Sequence, residues 1–466
     1  MKFAEECGIF GGIAKDTNIA PIIKSGLIAL QHRGEQSTGL CCFGNDTYIL
    51  KGEGRADSFF TQNPVDSIIS NIGIGHVRYS TSNDVSQASI QPFCKTYSGY
   101  NIAFAHNGHI NLTKSHKDFL YNNKVTLESQ SDSEALFKFI LQQLKNHNQP
   151  PTFENIGEIL YTNFNNSAWC IIIACNDKIF GFRDSNGYRP LVLGQATDGI
   201  FLASEDCAFK KLTLENITEI QPGQGVEINK DSYTIRDFHI LNTHKQCVFE
   251  QIYFAKSDSN IFGLKVAQSR IELGKICAIE NPIDADIVVP ILNSGYYSAV
   301  GYSEYSKIPL HKAIDTDKNA QRSFIQNEQG KRTEKVLQKL KINKNEIKGK
   351  KVVVVDDSIV RGTTAIEVAN ILRNAEAKEI HFRLSSPKII NTCSWGVDIP
   401  TKEELLAFNY KSNAELCNYI GIDSIGFIST EGLHKVFDLN RFCTNCLKGD
   451  CKITTRLNSL KLEASR

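Results

Sequence analysis

The sequence predicts two domains in series, an antiparallel α+β domain followed by an open α/β domain. Three observations carry this. The first half is dense in short β-prone runs, the character of the chain changes around residues 240–246, and the run Lys351–Ala365 reads KVVVVDDSIVRGTTA. That last run is a buried strand delivering two acids to its carboxyl end, then a turn rich in small residues, then a helix. An open α/β sheet keeps its ligand site in that place.

In the first half the β-like runs are Gly8–Ala14, Thr47–Lys51, Ile72–Tyr79, Ile102–His106, Ala168–Cys175, Lys178–Phe182 and Ile200–Ala203. Helical pattern is sparser, mainly Ile19–Leu30 and Ser133–Leu144, which is an antiparallel α+β composition. In the second half, Asp286–Leu292 and Lys351–Val355 read as fully buried parallel strands. Between Thr364 and Asn374 the apolar residues recur on one helix face, and Glu379–Leu384 follows as the next strand. That is a βαβ unit. The lysine-rich stretch 329–351 reads as a mobile loop with a helical portion.

The chain has 466 residues, with 52 Lys+Arg against 51 Asp+Glu. Such balance argues against nucleic acid or a charged membrane surface as a partner. The longest apolar runs, Ile171–Ala174 and Val352–Val355, are far too short to span a bilayer. Met1–Glu6 has no apolar core of a secretory signal. The expectation is a cytoplasmic protein.

Of the 14 cysteines, Cys41, Cys42, Cys170, Cys175 and Cys207 lie in apolar runs and read as small core residues. Cys7, Cys247, Cys393, Cys443 and Cys446 carry the chemical interest. Cys443 and Cys446 form a C-x2-C pair, half of many zinc or iron–sulfur sites.

The loop after Val355 suits a phosphorylated ribose. Ser358, Arg361, Gly362, Thr363 and Thr364 can wrap a phosphate with backbone N–H groups, hydroxyls and a helix N-terminus. Asp356 and Asp357 suit ribose hydroxyls or Mg2+, a hard cation that prefers oxygen. The run closely resembles the phosphoribosyl-pyrophosphate (PRPP) signature of type I phosphoribosyltransferases. Five amino-terminal segments resemble, in order and spacing, the class II glutamine amidotransferases of the N-terminal-nucleophile hydrolase fold, a four-layer αββα architecture. They are Cys7-Gly-Ile-Phe-Gly-Gly, Gln31-His32-Arg33-Gly34, Gly75–Thr81, Ala105-His106-Asn107-Gly108 and Ser131–Glu134.

The amidotransferase resemblance implies that Cys7 is the nucleophile, with Asn107 and Gly108 forming the oxyanion hole. Arg78 would pair with the glutamine carboxylate and Asp132 would hold its ammonium. His32, His76 and His106 read as structural. If Cys7 became the first residue, its α-amine could act as the base that activates the thiol. Residues 1–6 are therefore expected to be a propeptide, with a glutamine amidotransferase domain at 7–240 and a phosphoribosyltransferase domain at 241–466.

Taken together, the two halves resemble the amidophosphoribosyltransferase family, supported by Phe249–Ser259, Ser323–Gln326, Gly396–Glu404 and the Glu431-Gly432-Leu433 segment. The resemblance implies glutamine hydrolysis at Cys7 and passage of ammonia to PRPP, giving 5-phosphoribosylamine, glutamate and pyrophosphate. It implies Mg2+ at Ser294, Asp356 and Asp357. It also implies a [4Fe–4S] cluster on Cys247, Cys393, Cys443 and Cys446, with a four-thiolate zinc as the alternative and Cys451 as a bystander. Purine nucleotide inhibitors and a homo-oligomer, a tetramer, follow from the same source.

Departures from the family pattern cluster around PRPP. Asn293 replaces an acid, the basic segment reads Lys318-Asn319-Ala320-Gln321, and Asp315 and Asp317 add negative charge. Glu35-Gln36 stands in reversed order. These suggest a second reading, a divergent paralogue that acts on another donor or serves as a regulatory binding protein.

Overall fold

A computed structural model describes residues 7–79, 86–316, 340–397 and 401–447. The expected propeptide, the segment 317–326 and Cys451 lie outside the described residues.

Two antiparallel sheets face each other in the first half. The seven-stranded sheet runs Leu214–Glu219, Val192–Ala196, Gly199–Ala203, Gly8–Ala14, Ile72–Arg78, Ser37–Phe43 and Thr47–Glu53. The six-stranded sheet runs Tyr233–Asp237, Gln224–Ile228, Lys178–Arg183, Ala168–Cys175, Tyr100–His109 and Phe93–Tyr97. Ile9, Ile13, Ile74, Ala103, Ile172 and Leu202 interdigitate between them. The helices Ile19–Ala29 and Ala56–Gln62 cover the outer face of the first sheet. Asp132–Asn146 and Phe153–Asn163 cover the outer face of the second. The result is the αββα sandwich.

Gly8–Ala14 and Ala168–Cys175 are buried along their whole length because both lie centrally, under neighbours on both faces. The five cysteines read as core residues are indeed buried, at 0–4 % exposure.

In the second half Ile287–Pro290, Lys351–Asp356, Glu379–Leu384 and Ser424–Phe427 form a four-stranded parallel sheet. Val353 and Val355 pack toward the helices Val266–Glu280 and Tyr296–Ser306, whereas Val352 and Val354 pack toward Thr363–Asn374 and Asn413–Ile420. Burial on both faces explains the unbroken valine run. In the stretch read as a loop, Leu340–Ile342 pairs with Ile314–Thr316, and Lys344–Ile347 is helical.

Candidate active site

Cys7 sits at the start of the central strand Gly8–Ala14. Beside it, Ile72–Arg78 ends on Arg78, and Tyr100–His109 carries Asn107 and Gly108. Asp132 is the first residue of its helix, where a carboxylate complements the macrodipole. These elements converge on one cavity of about 170 Å3, lined by Cys7, Arg78, Asn107, Gly108, Asp132 and, unforeseen, Arg189 and Gly396. All five amino-terminal site residues read from the sequence meet there.

The Cys7 thiol lies 3.7 Å from the carbonyl of Tyr79. Asn107 is fully buried and its Nδ2 donates to Ser204 Oγ at 3.4 Å. Gly108 has φ +148°, and a Cβ there would lie 2.0 Å from the Ala168 carbonyl oxygen, so only glycine fits. Asp132 accepts from the N–H groups of Ile110 and Ser133, both at 2.8 Å. Arg78 donates to Ser89. Gln91 grips the backbone of His106, accepting from its N–H at 2.7 Å and donating to its carbonyl at 3.3 Å.

Burial pushes the His76 imidazolium down to about 3 and that of His106 to about 4, so both rings are neutral at physiological pH. His106 Nδ1 lies 2.8 Å from Ser133 Oγ, next to Asp132.

Beneath the cavity lies a charged network that crosses between the halves. Arg33 Nε donates to the Cys7 carbonyl at 3.1 Å. Its terminal nitrogens reach Glu205 at 2.6 Å and Glu250 at 2.8 Å, with all three side chains fully buried. Burial alone would raise the Glu205 carboxyl, but the charges of His32 and Arg33 and a bond from Ser259 hold it well below the usual range. His32, Glu205 and Cys207 bring ligand-type atoms within 4.8 Å of one another. Glu205 is committed to Arg33, His32, Ser259 and the Lys256 N–H, so this cluster reads as an ion-pair network. Further on, buried Arg270 donates to the carbonyls of Gln251 and Ala255. Burial pushes Arg270 down to about 10 against the opposing charge of Asp357.

The acid loop of the second half ends the strand Lys351–Asp356. Asp356 Oδ1 accepts from the Asp357 N–H at 2.8 Å and from Ser294 Oγ at 3.2 Å. Gly362, at φ +81°, starts the helix Thr363–Asn374. Asp356, Ser358, Gly362 and Thr364 line one small pocket. Asp357 is fully buried, its Oδ1 2.5 Å from Ser358 Oγ. Arg361 is turned away onto Glu404 at 2.8 Å.

Cys247, Cys393, Cys443 and Cys446 line a second cavity with Tyr188, Arg189 and Trp395. Cys247 and Cys443 are direct partners in a short parallel ladder, Gln246–Cys247 against Phe442–Cys443. Burial, then the neighbouring Cys393, Cys247 and Cys443, push the Cys446 thiol far up. Four cysteines around one largely apolar pocket are the type of donor set that a thiolate-binding metal centre takes.

The family model described as "Glutamine amidotransferases class-II" matches residues 52–175, and "Phosphoribosyl transferase domain" matches 276–387. The chain is 37 % identical over 474 residues to the amidophosphoribosyltransferase of Methanocaldococcus jannaschii, covering 98 % of this chain and 99 % of that one. It is 33 % identical to that of Bacillus subtilis, covering 96 % and 92 %. The chain belongs to the amidophosphoribosyltransferase family.

The solved Bacillus subtilis glutamine PRPP amidotransferase complexed with ADP and GMP superposes with a TM-score of 0.85. It shares 32 % identity over 95 % of this chain and 97 % of that one. A structure described as the allosteric regulatory enzyme of purine biosynthesis gives 0.86 at 33 % identity, covering 95 % and 96 %. As an amidophosphoribosyltransferase the chain is a glutamine amidotransferase and a pentosyltransferase of purine biosynthesis. Nothing in these comparisons supports the divergent-paralogue alternative. Among the described residues no helix is long and apolar enough to cross a membrane.

Sequence reading missed Arg189, Gly396, Gln91 and Ser204 in and around the cavity that holds Cys7. A signal existed for the first: Arg183-Asp184-Ser-Asn-Gly187-Tyr-Arg189-Pro places two arginines around a turn between strands, and both are buried.

Proposed function

We propose that Cys7 attacks the side-chain amide of glutamine, forming a thioester and releasing ammonia, and that water then frees glutamate and regenerates the thiol. Asn107 Nδ2 and the Gly108 N–H stabilise the tetrahedral oxyanion, Arg78 takes the α-carboxylate and Asp132 the ammonium. The observation that carries this is the convergence of all five residues on one small cavity. With residues 1–6 removed, the Cys7 α-amine accepts the thiol proton; intact mass of the active enzyme tests that removal.

Ammonia passes inside the protein to PRPP, where a C–N bond forms at C1 as the bond to pyrophosphate breaks. Ser358, Gly362, Thr363 and Thr364 bind the 5-phosphate, joined by Arg361 once it leaves Glu404. Residues 7–240 form the hydrolysing unit and 241–466 the transferring one. Ser294 and Asp356, whose oxygens converge at 3.2 Å, are hard donors suited to Mg2+, with Asp357 completing the set. Mg2+ held by these residues would supply positive charge to offset that of the leaving pyrophosphate. The four cysteines hold a [4Fe–4S] cluster as a structural centre. Purine nucleotides act as feedback ligands on a homotetramer in the cytoplasm.

The deciding experiment measures pyrophosphate release from PRPP with glutamine and with ammonia in Cys7→Ala. Loss of the glutamine-dependent reaction with survival of the ammonia-dependent one is expected. Glutamine-dependent turnover in the variant would sink the assignment. Iron content and colour of protein purified without oxygen test the cluster, and a colourless protein holding zinc would replace it.

A further inference from the structure

Arg189 lines both the glutamine cavity and the four-cysteine cavity. It is 1 % exposed, and its Nη2 donates to the Trp395 carbonyl at 2.7 Å. On the other side of that residue, the Trp395 N–H donates to the Cys393 sulfur at 3.2 Å. One residue, Trp395, thus joins a sulfur of the cysteine cavity to a guanidinium in the glutamine cavity.

The contact is doubled by the neighbours of both residues. The Tyr188 ring stacks on the Trp395 ring, centroids 4.6 Å apart at 19°, and the Tyr188 carbonyl accepts from the Cys247 N–H at 3.1 Å. Gly396 then enters the glutamine cavity wall, where a Cβ would meet His109 Cβ at 2.8 Å and Arg189 Nη2 at 3.3 Å. His109 follows the oxyanion pair Asn107–Gly108 on the same strand. Tyr188 and Trp395 therefore line the cysteine cavity, Gly396 lines the other, and Arg189 borders both.

We propose that Arg189 is a positioning residue that carries the state of the cysteine cavity into the glutamine cavity through the Trp395–Gly396 segment. The proposal rests on the reading of the first cavity as the glutamine site and of the second as a metal centre. A planar guanidinium with fixed donor directions suits such a strut, and a lysine does not reproduce it. When the sulfur of Cys393 is held by metal, the Trp395 peptide and Arg189 are fixed and the wall beside His109 is closed. When the metal is lost, the wall relaxes and glutamine is held less well, although the chemistry at Cys7 is untouched.

The test follows alkylation of Cys7 by mass spectrometry, using a diazoketone analogue of glutamine and, in parallel, the small reagent iodoacetamide. In the wild-type protein, removing metal with a chelator is expected to slow labelling by the analogue about tenfold or more, the usual reach of outer-shell partners, while iodoacetamide labelling holds. Metal-loaded Arg189→Lys should already label slowly, with raised KM for glutamine and unchanged ammonia-dependent synthesis, and metal removal should add nothing further. Gly396→Ala pushes the same wall with Arg189 intact and should behave alike, which covers the case of an unstable Arg189→Lys protein. Analogue labelling that falls on metal removal in Arg189→Lys as it does in wild type overturns the link alone. Absence of analogue labelling in every form overturns the glutamine-cavity reading and the link with it.

Discussion

Arg33 and Cys7 are joined through the backbone: the guanidinium Nε donates to the Cys7 carbonyl at 3.1 Å, while its terminal nitrogens hold Glu250 of the second half. The residue that positions Cys7 is thus also an element of the interface between the halves.

Replacing Arg33 by alanine leaves Glu205 and Glu250 buried without their cation. Removing one partner of a buried pair costs about 3–5 kcal/mol, so a large fall in the urea midpoint is expected. Arg33→Lys keeps the charge without the fork. It should fold better than the alanine variant, yet lose glutamine-dependent activity faster than ammonia-dependent activity. Equal losses of the two activities would argue against a role at Cys7.

Acid should destabilise the protein well above the ordinary carboxylate range. His76 and His106 are held neutral when folded, near 3 and 4, against 6.5 when unfolded. Between those values the unfolded chain binds more protons, so stability falls as pH drops below 6.5 toward 4. Asp184, pushed up to about 6 by burial, acts in the opposite direction, but the combined shift of the histidines is larger. Thermal midpoints measured from pH 7.5 to 4.5 should fall steadily, and His76→Asn should flatten part of that slope. An unchanged slope would show that His76 binds protons alike in the folded and unfolded chains.

Gly108→Ala should not be tolerated. The new methyl would lie 2.0 Å from the Ala168 oxygen at a φ of +148°. Strain of this kind costs about 1–3 kcal/mol before any backbone shift. Because Gly108 N–H is also an oxyanion donor in our reading, glutamine turnover should fall by a further ~100-fold or more. Thermal melting separates the two effects from steady-state kinetics.

Glu404 is paired with Arg361 at 2.8 Å, so on our reading of the loop it competes with the 5-phosphate for that guanidinium. The pair is partly exposed and worth no more than about 1 kcal/mol. Glu404→Gln should therefore lower the KM for PRPP by about fivefold at most, with kcat unchanged, and the gain should shrink in high salt. A raised KM would mean that Glu404 orients Arg361 productively.

The second half was legible because local chemistry dictates it. An unbroken valine run has to be buried on both faces, and the acids at its end have only the sheet's carboxyl edge to occupy. The helix Lys114–Asn122 was missed because its apolar face is diluted by polar residues, whereas Phe153–Asn163 carries a short stripe at Phe153, Ile156 and Leu160 that sequence reading passed over. Their starts depend on caps by Thr113 and Thr152 that periodicity does not reveal. The short strands Leu214–Glu219 and Tyr233–Asp237 are half-exposed edges with little apolar pattern. Arg189, Gly396 and the Arg361–Glu404 pair depend on segments far apart in sequence that only the folded chain brings together. A motif names what it contains, and Glu404, which pairs with Arg361, lies outside it.

The ladder that sets Cys247 beside Cys443 has a consequence for how the protein is made. The cysteine cavity stays incomplete on the ribosome until the strand Phe442–Cys443 and then Cys446 have emerged, long after the amino-terminal sandwich has its full set of strands. The wall formed by Trp395 and Gly396 is added late as well. The cavity that holds Cys7 at one end of its wall and Gly396 at another thus draws its first and last sides from opposite ends of the synthesis order.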